Sequence, residues 1–321
     1  MTRQLFVGVD LGGTNIKAGL LDDQANLLAR LSIATEAEHG PDHVIARIVQ
    51  AIDQVLAQAG LPRQDVAGVG IGAPGAMSHK KGLIIAPPNL PGWHNVPLRD
   101  RVAALLGLPT VLENDANAAA WGEFWAGAGR GTDNMVMFTL GTGVGGGIII
   151  DGQILRGAFD NAAELGHMIV KPGGRPCGCG QQGCLEAYSS AAATARRAIE
   201  AIQAGQDSSL KAGQPVESRH VEQAARAGDP LAERIWDEAC YYLAIACVNV
   251  QHFCNPQRVV LAGGMIGAGA FLLDRVRKHF DQQTWTVAQD RPEIALATLG
   301  NEAGLIGAAG AARLAHQQGQ L

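Results

Sequence analysis

The chain has no basic run. Its 25 lysines and arginines are scattered and outnumbered by 30 aspartates and glutamates, for a formal charge of −5. That excludes a nucleic-acid surface built on a cationic stripe. No apolar stretch approaches the roughly 20 residues of a membrane span. The start, MTRQLFVGVDLGG, is broken by Asp10 and glycines too early to form the core of a secretory leader. A soluble protein with no membrane and no nucleic-acid partner is expected. Aromatics are scarce too, with seven Phe, five Trp and three Tyr against 42 glycines. Such a chain is rich in tight turns and close backbone approaches and is not a sandwich packed on rings. With 321 residues it exceeds one ordinary hydrophobic core, so two domains are the default. Alanine-rich helical stretches alternate with short Val/Ile/Leu runs, the mark of an α/β protein.

Three of the six cysteines lie close together, as Cys177-x-Cys179-x4-Cys184, ten residues after His167. Three sulfurs and an imidazole are the four ligands of a closed tetrahedral zinc site, and a closed site leaves no position for a catalytic water. The ion is therefore expected to be structural. Glu164 and Glu186 flank the ligands, so fixing the cluster also fixes two carboxylates, as a pocket for a polyhydroxylated ligand would need. The alternative is three buried thiols beside a solvent-facing histidine, although Gly178, Gly180 and Gly183 suit a chain wrapped tightly on an ion. Thiolate ligands need a reducing compartment, which predicts the cytoplasm. The other cysteines, Cys240, Cys247 and Cys254, recur every seven residues on a helix expected from about Pro230 to His252, capped by Asp229. They read as small core residues.

One plan occurs twice. A strand from Leu5 to Asp10, a turn through Gly12-Gly13-Thr14-Asn15 and a strand from Ile16 to Leu21 are echoed by Met135 to Leu140, Gly141-Thr142-Gly143 and Gly146 to Ile150. At an offset of 129 residues Leu11/Leu140, Gly12/Gly141, Asp22/Asp151 and Gln24/Gln153 are identical. A second echo is a strand ending on small residues, Val66 to Gly72 before Ala73-Pro74-Gly75 and Val259 to Ala262 before Gly263-Gly264.

The first turn is neither G-x-G-x-x-G nor G-x-x-x-x-G-K-[ST], and a strand follows it, not a helix. Phosphate would be held by backbone N–H groups of a hairpin, and Asp10 at the strand's end would hold magnesium or its waters. A plain glycine hairpin remains the alternative, and the echo from Thr139 to Gly147 weakens it. At Thr110-Val-Leu-Glu113-Asn114-Asp115-Ala-Asn117 a short strand stops and an alanine-rich helix, Ala116 to about Ala126, begins. Asp115 is there a helix N-cap, a proton acceptor, or both.

Taken in order, Asp10-Leu-Gly-Gly-Thr-Asn15, Glu113-Asn-Asp-Ala-Asn117, Leu140-Gly-Thr-Gly-Val-Gly-Gly-Gly147, Glu164-Leu-Gly-His167 and Cys177-x-Cys-Gly-x-x-Gly-Cys184-x-Glu186 resemble the ROK family of sugar kinases and repressors across essentially the whole chain. The resemblance implies an actin-like, hexokinase-type ATPase fold, two duplicated α/β domains with ATP and sugar in the cleft between them. It implies that the phosphate loops are Gly8 to Asn15, with Asp10, Gly12, Gly13 and Thr14, and Gly141 to Ile148, with Thr142, Gly143 and the preceding Thr139. Gly263 and Gly264 would pack against adenosine. Asp115 matches the catalytic base. Asn114, Glu164, His167 and Glu186 match sugar-binding residues, with Gly75 and Asn89 added to that set. His167, Cys177, Cys179 and Cys184 match the zinc ligands, and ATP with Mg2+ is the co-substrate. A homodimer is implied as well.

The expected activity is phosphorylation of the 6-hydroxyl of glucose. Ala116-Asn117-Ala118-Ala119-Ala120-Trp121-Gly122-Glu123 resembles the glucokinase branch, although Ala163 stands where that branch has glycine. N-acetylglucosamine, N-acetylmannosamine, mannose or fructose kinases are the alternatives, and a sugar-binding regulator without catalysis is a third reading. The first strand begins by residue 5, which is expected to leave no room for a repressor's DNA-binding segment. The smaller domain is expected over residues 1–115 with about 302–321 crossing back, and the larger over 116–301. Gly304, Gly307 and Gly310 would give the closing helix one closely packed face.

Overall fold

Strand β1 (Leu5–Leu11) is buried at every position except Asp10 because both of its faces are covered. Leu5, Val7, Val9 and Leu11 join a core with Val44, Ile45, Ile48, Ile52 and Val55 of helix α1 (Gly40–Ala59), whose apolar residues recur at helical spacing. Phe6 faces the other way and packs with Leu305, Ala309 and Ala312 of α9 (Ala303–Gln317). The computed structural model describes residues 3–87, 89–211, 214–287 and 289–321. It divides into unit 1, Met1–Gly131 with Gln153–Ala163 and Thr298–Leu321, and unit 2, Thr132–Gly152 with Glu164–Ala297.

In unit 1, β2 (Asn15–Asp22), β3 (Leu27–Ala34), β4 (Val66–Ala73) and β7 (Thr110–Asn114) complete a sheet in the order β3-β2-β1-β4-β7. The hairpin partners are antiparallel, and β4 and β7 run parallel to β1. A small ribbon, β5 (Ala76–Ser78) and β6 (Leu83–Ala86), precedes α2 (Leu98–Leu106), and α3 (Asp115–Ala126) follows β7 directly. The two-residue strand β10 (Gln153–Ile154) also belongs to this unit.

Unit 2 repeats the plan. Strands β8 (Met135–Leu140) and β9 (Val144–Ile150) form the hairpin, and β11 (Arg258–Ala262) and β12 (Glu293–Leu296) add in parallel to give the order β9-β8-β11-β12. Helices α4 (Glu186–Ser189), α5 (Ala191–Gln203), α6 (Ser218–Arg226), α7 (Pro230–Cys254) and α8 (Ala270–Gln283) complete it. Asp229 caps α7 through its side chain, and Cys240 and Cys247 lie fully buried on that helix.

The expected boundary at residue 115 is corrected to Gly131, because α3 packs along α9 inside unit 1. At that contact a Cβ on Gly307 would stand 1.6 Å from the Ala118 carbonyl oxygen. Buried Glu123 adds a polar clamp, accepting from the N–H groups of Ala128, Thr298 and Leu299. The three glycines of α9 do share one packed face, with Gly304 against the Asp10 carboxylate, Gly307 against α3, and Gly310 against Trp121 and Trp125. On the sheet side, a Cβ on Gly70 would lie 1.8 Å from the Ala308 oxygen, and one on Gly8 1.9 Å from that of Leu305.

Overpacking of this kind costs about 1–3 kcal/mol. Gly70→Ala should therefore lower the unfolding free energy by about 1–3 kcal/mol, read as a lower denaturant midpoint at unchanged slope. Gly141→Ala, whose added methyl meets nothing within 4 Å, should leave the midpoint unchanged.

Candidate active site

In unit 1 the β1–β2 turn is held from two sides. The Gly12 N–H donates to the Asn15 carbonyl at 3.0 Å, while buried Thr35, just past β3, donates its hydroxyl to the Gly12 carbonyl at 2.7 Å and its N–H to that of Thr14 at 2.9 Å. Thr14 and Asn15 are exposed and Gly12 and Gly13 half-buried, so backbone N–H groups of the turn can reach a ligand. Gly13 lies against Asn89, where an added Cβ would meet the Asn89 carbonyl oxygen at 2.8 Å. Gly75, at φ +87°, takes a backbone conformation that brings it, just before β5, against Pro87, just after β6. Asp10 accepts from the Lys17 ammonium at 3.3 Å, and Lys17 also reaches the Asn301 carbonyl at 3.2 Å. Gly8 is the exception among the expected loop residues. It sits buried in mid-strand beneath α9, so it serves helix packing and not the turn.

The β7–α3 junction settles the capping question. Asn114 is extended (φ −65°, ψ 144°), and its side-chain oxygen accepts from the N–H groups of Ala116 and Asn117 at 2.9 and 3.2 Å. Asn114 is therefore the N-cap, and Asp115 is the first helical residue, with its side chain exposed and accepting from Ala116 N–H at 2.8 Å. Beneath it lies buried Glu113. One Glu113 oxygen accepts from Asn114 N–H at 3.0 Å and from the Asn117 amide at 3.1 Å, and the other takes the Arg156 guanidinium at 2.7 and 2.9 Å. His79 donates Nδ1–H to the Leu112 carbonyl at 2.8 Å, and burial, reinforced by the positive charge of Arg156, holds its pKa below the usual imidazole value. Glu113 stood in the quoted motif without a role, and nothing local in the sequence marked Arg156, Thr35 or Lys17.

In unit 2 the Cys177 sulfur lies 3.7 Å from His167 Nδ1 and the Cys179 sulfur 3.7 Å from that of Cys184. All four donor atoms fall within 4.8 Å of one another. A tetrahedral ion with metal–sulfur bonds of about 2.3 Å sets sulfurs about 3.8 Å apart, so the donor set fits such an ion. Because Nδ1 faces the sulfurs, Nε2 is left for another partner. Burial raises the pKa of the Cys177 thiol and pushes that of Cys184 up to about 12, whereas a hydrogen bond from the backbone at Gln181 lowers that of Cys179.

The same cluster reaches the second hairpin. Glu186 opens α4, approaches the Cys177 sulfur at 3.7 Å with one oxygen and accepts from the Val144 N–H at 3.0 Å with the other, directly beside Gly143. Leu165-Gly166-His167 lies on β9, where Gly166 meets the Val144 backbone and Leu165 packs on Gly146. In the turn itself the Gly141 N–H donates to the Gly143 carbonyl at 3.0 Å, Thr142 is exposed, and half-buried Thr139 precedes it. Gly263, at φ +90°, is pressed onto the Leu140 backbone, which puts it and Gly264 beside this turn. Glu164 is exposed, and its backbone carbonyl accepts from the His167 N–H at 3.0 Å. Ala163 takes φ +66°, the left-handed geometry that glycine would adopt without strain.

No helix among the described residues is long and apolar enough to cross a membrane. The ROK family model matches residues 6–318. A glucokinase of Halalkalibacterium halodurans is 39% identical over 312 residues, 96% of this chain and 94% of the relative. The crystal structure of a ROK hexokinase from Thermus thermophilus superimposes with a TM-score of 0.85 at 36% identity, covering 98% of this chain and all of the other. That of a ROK glucokinase from Streptomyces griseus, in complex with glucose and AMPPNP, gives 0.76 at 38% identity, covering 97% and 99%. The doubled hairpin-and-parallel-strand plan is that of the actin-like ATPase fold. With the five motifs in order and the match running almost end to end, the chain belongs to the ROK family.

Proposed function

We propose that the protein is an ATP-dependent hexokinase that transfers the γ-phosphoryl group of ATP to the 6-hydroxyl of glucose, giving glucose 6-phosphate and ADP. The observation that carries this reading is the exposed Asp115 carboxylate, presented at the start of α3 by an Asn114 cap and a buried Glu113. Asp115 orients the 6-hydroxyl and takes its proton as the oxygen bonds to phosphorus and the bond to the ADP oxygen breaks. Phosphoryl transfer asks mostly for positioning and charge neutralisation, so a weak carboxylate base suffices. With the Gly12 and Gly141 N–H groups closing the two turns, the N–H groups of Gly13 to Asn15 and of Thr142 and Gly143 hold phosphate oxygens, and Gly263 and Gly264 border the adenosine. Magnesium bound with ATP would neutralise phosphate charge, with Asp10 the carboxylate suited to it or its waters.

Gly75, Asn89 and Asn114 in unit 1, and Glu164, His167 and Glu186 in unit 2, are assigned to the sugar hydroxyls. Zinc on His167 Nδ1, Cys177, Cys179 and Cys184 would fix the imidazole's tautomer and leave Nε2–H to donate to a hydroxyl. Because Glu186 follows the ligand Cys184 by two residues and also grips the Val144 N–H, an ion bound there would steady the second phosphate turn as well as the sugar contacts. Six unpaired cysteines suit the reducing cytoplasm. A homodimer is part of the proposal, and exposed Phe253, Trp285 and Val287 on unit 2 offer apolar surface for a second copy.

Asp115→Asn should lower kcat by about 10²–10⁴-fold while calorimetry still detects glucose binding. Retention of full turnover would remove Asp115 from the chemistry, and a wild-type protein with no ATP-dependent turnover would favour the sugar-binding regulator. Among hexoses and N-acetylhexosamines assayed with ATP and magnesium, glucose should show the highest kcat/KM. A preference for N-acetylmannosamine or N-acetylglucosamine would transfer the assignment to that branch.

Each zinc-binding thiol must shed its proton to bind the ion, and burial holds Cys177 and Cys184 protonated at neutral pH without it. Zinc affinity should therefore fall as pH drops, so a chelator should strip the protein more completely at pH 6 than at pH 8, with glucose binding lost in step. Metal analysis finding no zinc in freshly purified protein would refute the assignment.

A further inference from the structure

A cavity of about 250 Å³ lies within unit 1 beside β7, the edge strand of its sheet, and the proposed reaction does not use it. Its apolar lining comes from Val111 on β7, Leu314 on α9 and Leu321 beyond it, and its wall carries Lys80, Arg99, Arg156 and His79. Among the described residues no Asp or Glu lines it. The acids that balance the cations stand behind them. Glu113 takes Arg156 at 2.7 Å, Asp100 takes the Arg99 Nε at 2.7 Å, and Asp160 accepts from the His79 backbone N–H at 3.0 Å. Arg99 is braced by the carbonyls of His79 and Lys80 at 3.3 and 3.2 Å, which fixes its guanidinium at the rim. The Lys80 ammonium has no ion pair or hydrogen bond among the described residues. The neutral His79 adds an imidazole without adding charge.

We propose that this cavity is a regulatory site for a small phosphate monoester, its phosphate oxygens on Lys80, Arg99 and Arg156 and its organic body on the apolar lining of Val111, Leu314 and Leu321. The one guanidinium nitrogen left on each of Arg99 and Arg156, with a free ammonium, matches a dianion with three equivalent oxygens better than a single carboxylate, which offers only two. The site reaches the chemistry through Arg156. That guanidinium holds Glu113, and Glu113 holds the N–H of Asn114 and the amide of Asn117. A phosphate that draws Arg156 toward the cavity loosens the clamp on the residue preceding Asp115, so filling the site lowers kcat. This consequence rests on the kinase reading, whereas binding itself does not.

The test uses zinc-loaded full-length protein with the active site filled by glucose and a non-hydrolysable ATP analogue. Glycerol 3-phosphate is titrated by calorimetry, with succinate and inorganic phosphate as comparisons. The expected result is one glycerol 3-phosphate per chain, bound at least tenfold more tightly than succinate. In Lys80→Glu that affinity should fall at least tenfold, while kcat without effector stays at the wild-type value. Turnover of the wild type at saturating glucose and ATP should fall as glycerol 3-phosphate rises, and that of Lys80→Glu should not. Inorganic phosphate binding as tightly as the ester would overturn the assigned role of the apolar lining. Absence of binding, binding indifferent to Lys80→Glu, or wild-type turnover that ignores bound ester would each overturn the proposal. Because the calorimetric arm needs no turnover, its failure is distinct from failure of the kinase assignment.

Discussion

Bare backbone pressed on bare backbone holds α9 against the first sheet. The carbonyls of Leu305 and Ala308 occupy the space that side chains at Gly8 and Gly70 would take, and that of Ala118 the space a side chain at Gly307 would take. Such contacts keep dispersion partners at close range while fixing the helix in one register, since any sideways slip would drive a carbonyl into a Cβ. Two carboxylates of the proposed site inherit their positions from this seating. Asp10 ends the strand that α9 covers and faces Gly304, and Asp115 begins the helix that α9 grips at Ala118 and Gly122.

The second unit reaches precision by another route. Its hairpin turn meets a helix end-on, where the Ala191 N–H at the start of α5 donates to the Gly141 carbonyl at 2.8 Å. A cluster of three sulfurs and an imidazole is linked through Glu186 to the Val144 N–H, and the backbone of Gly166 lies against the same residue. The Cys/His cluster, Glu186 and the second hairpin turn thereby form one connected piece within some fifty residues of chain. The first unit relies on packing, and the second on hydrogen bonds and on a donor cluster proposed to hold zinc.

What the amino-acid order revealed follows from how far apart the partners lie. The doubled hairpin, both glycine turns and the Cys/His spacing are local patterns, and all could be read directly. Glu113 was visible as part of a motif, but its partner Arg156 lies 43 positions away. The Glu123 clamp reaches 175 positions to Thr298, so neither partner carries a local signal. The domain boundary was misjudged for the same reason, since α3 follows β7 without a break and only its packing on α9 assigns it to unit 1. Asn114 and Asp115 are both competent caps. The extended backbone at Asn114 decided between them, and side-chain type could not.

The order of the segments also bears on synthesis. Residues 132–152 and 164–297 form a unit interrupted only once, whereas unit 1 lacks one cover of its sheet until 298–321 have been made. On a ribosome the later-encoded unit can close first, while Phe6, Gly8 and Gly70 wait with one face bare for the last helix to emerge. A nascent chain stalled before α9 would expose that apolar face to chaperones.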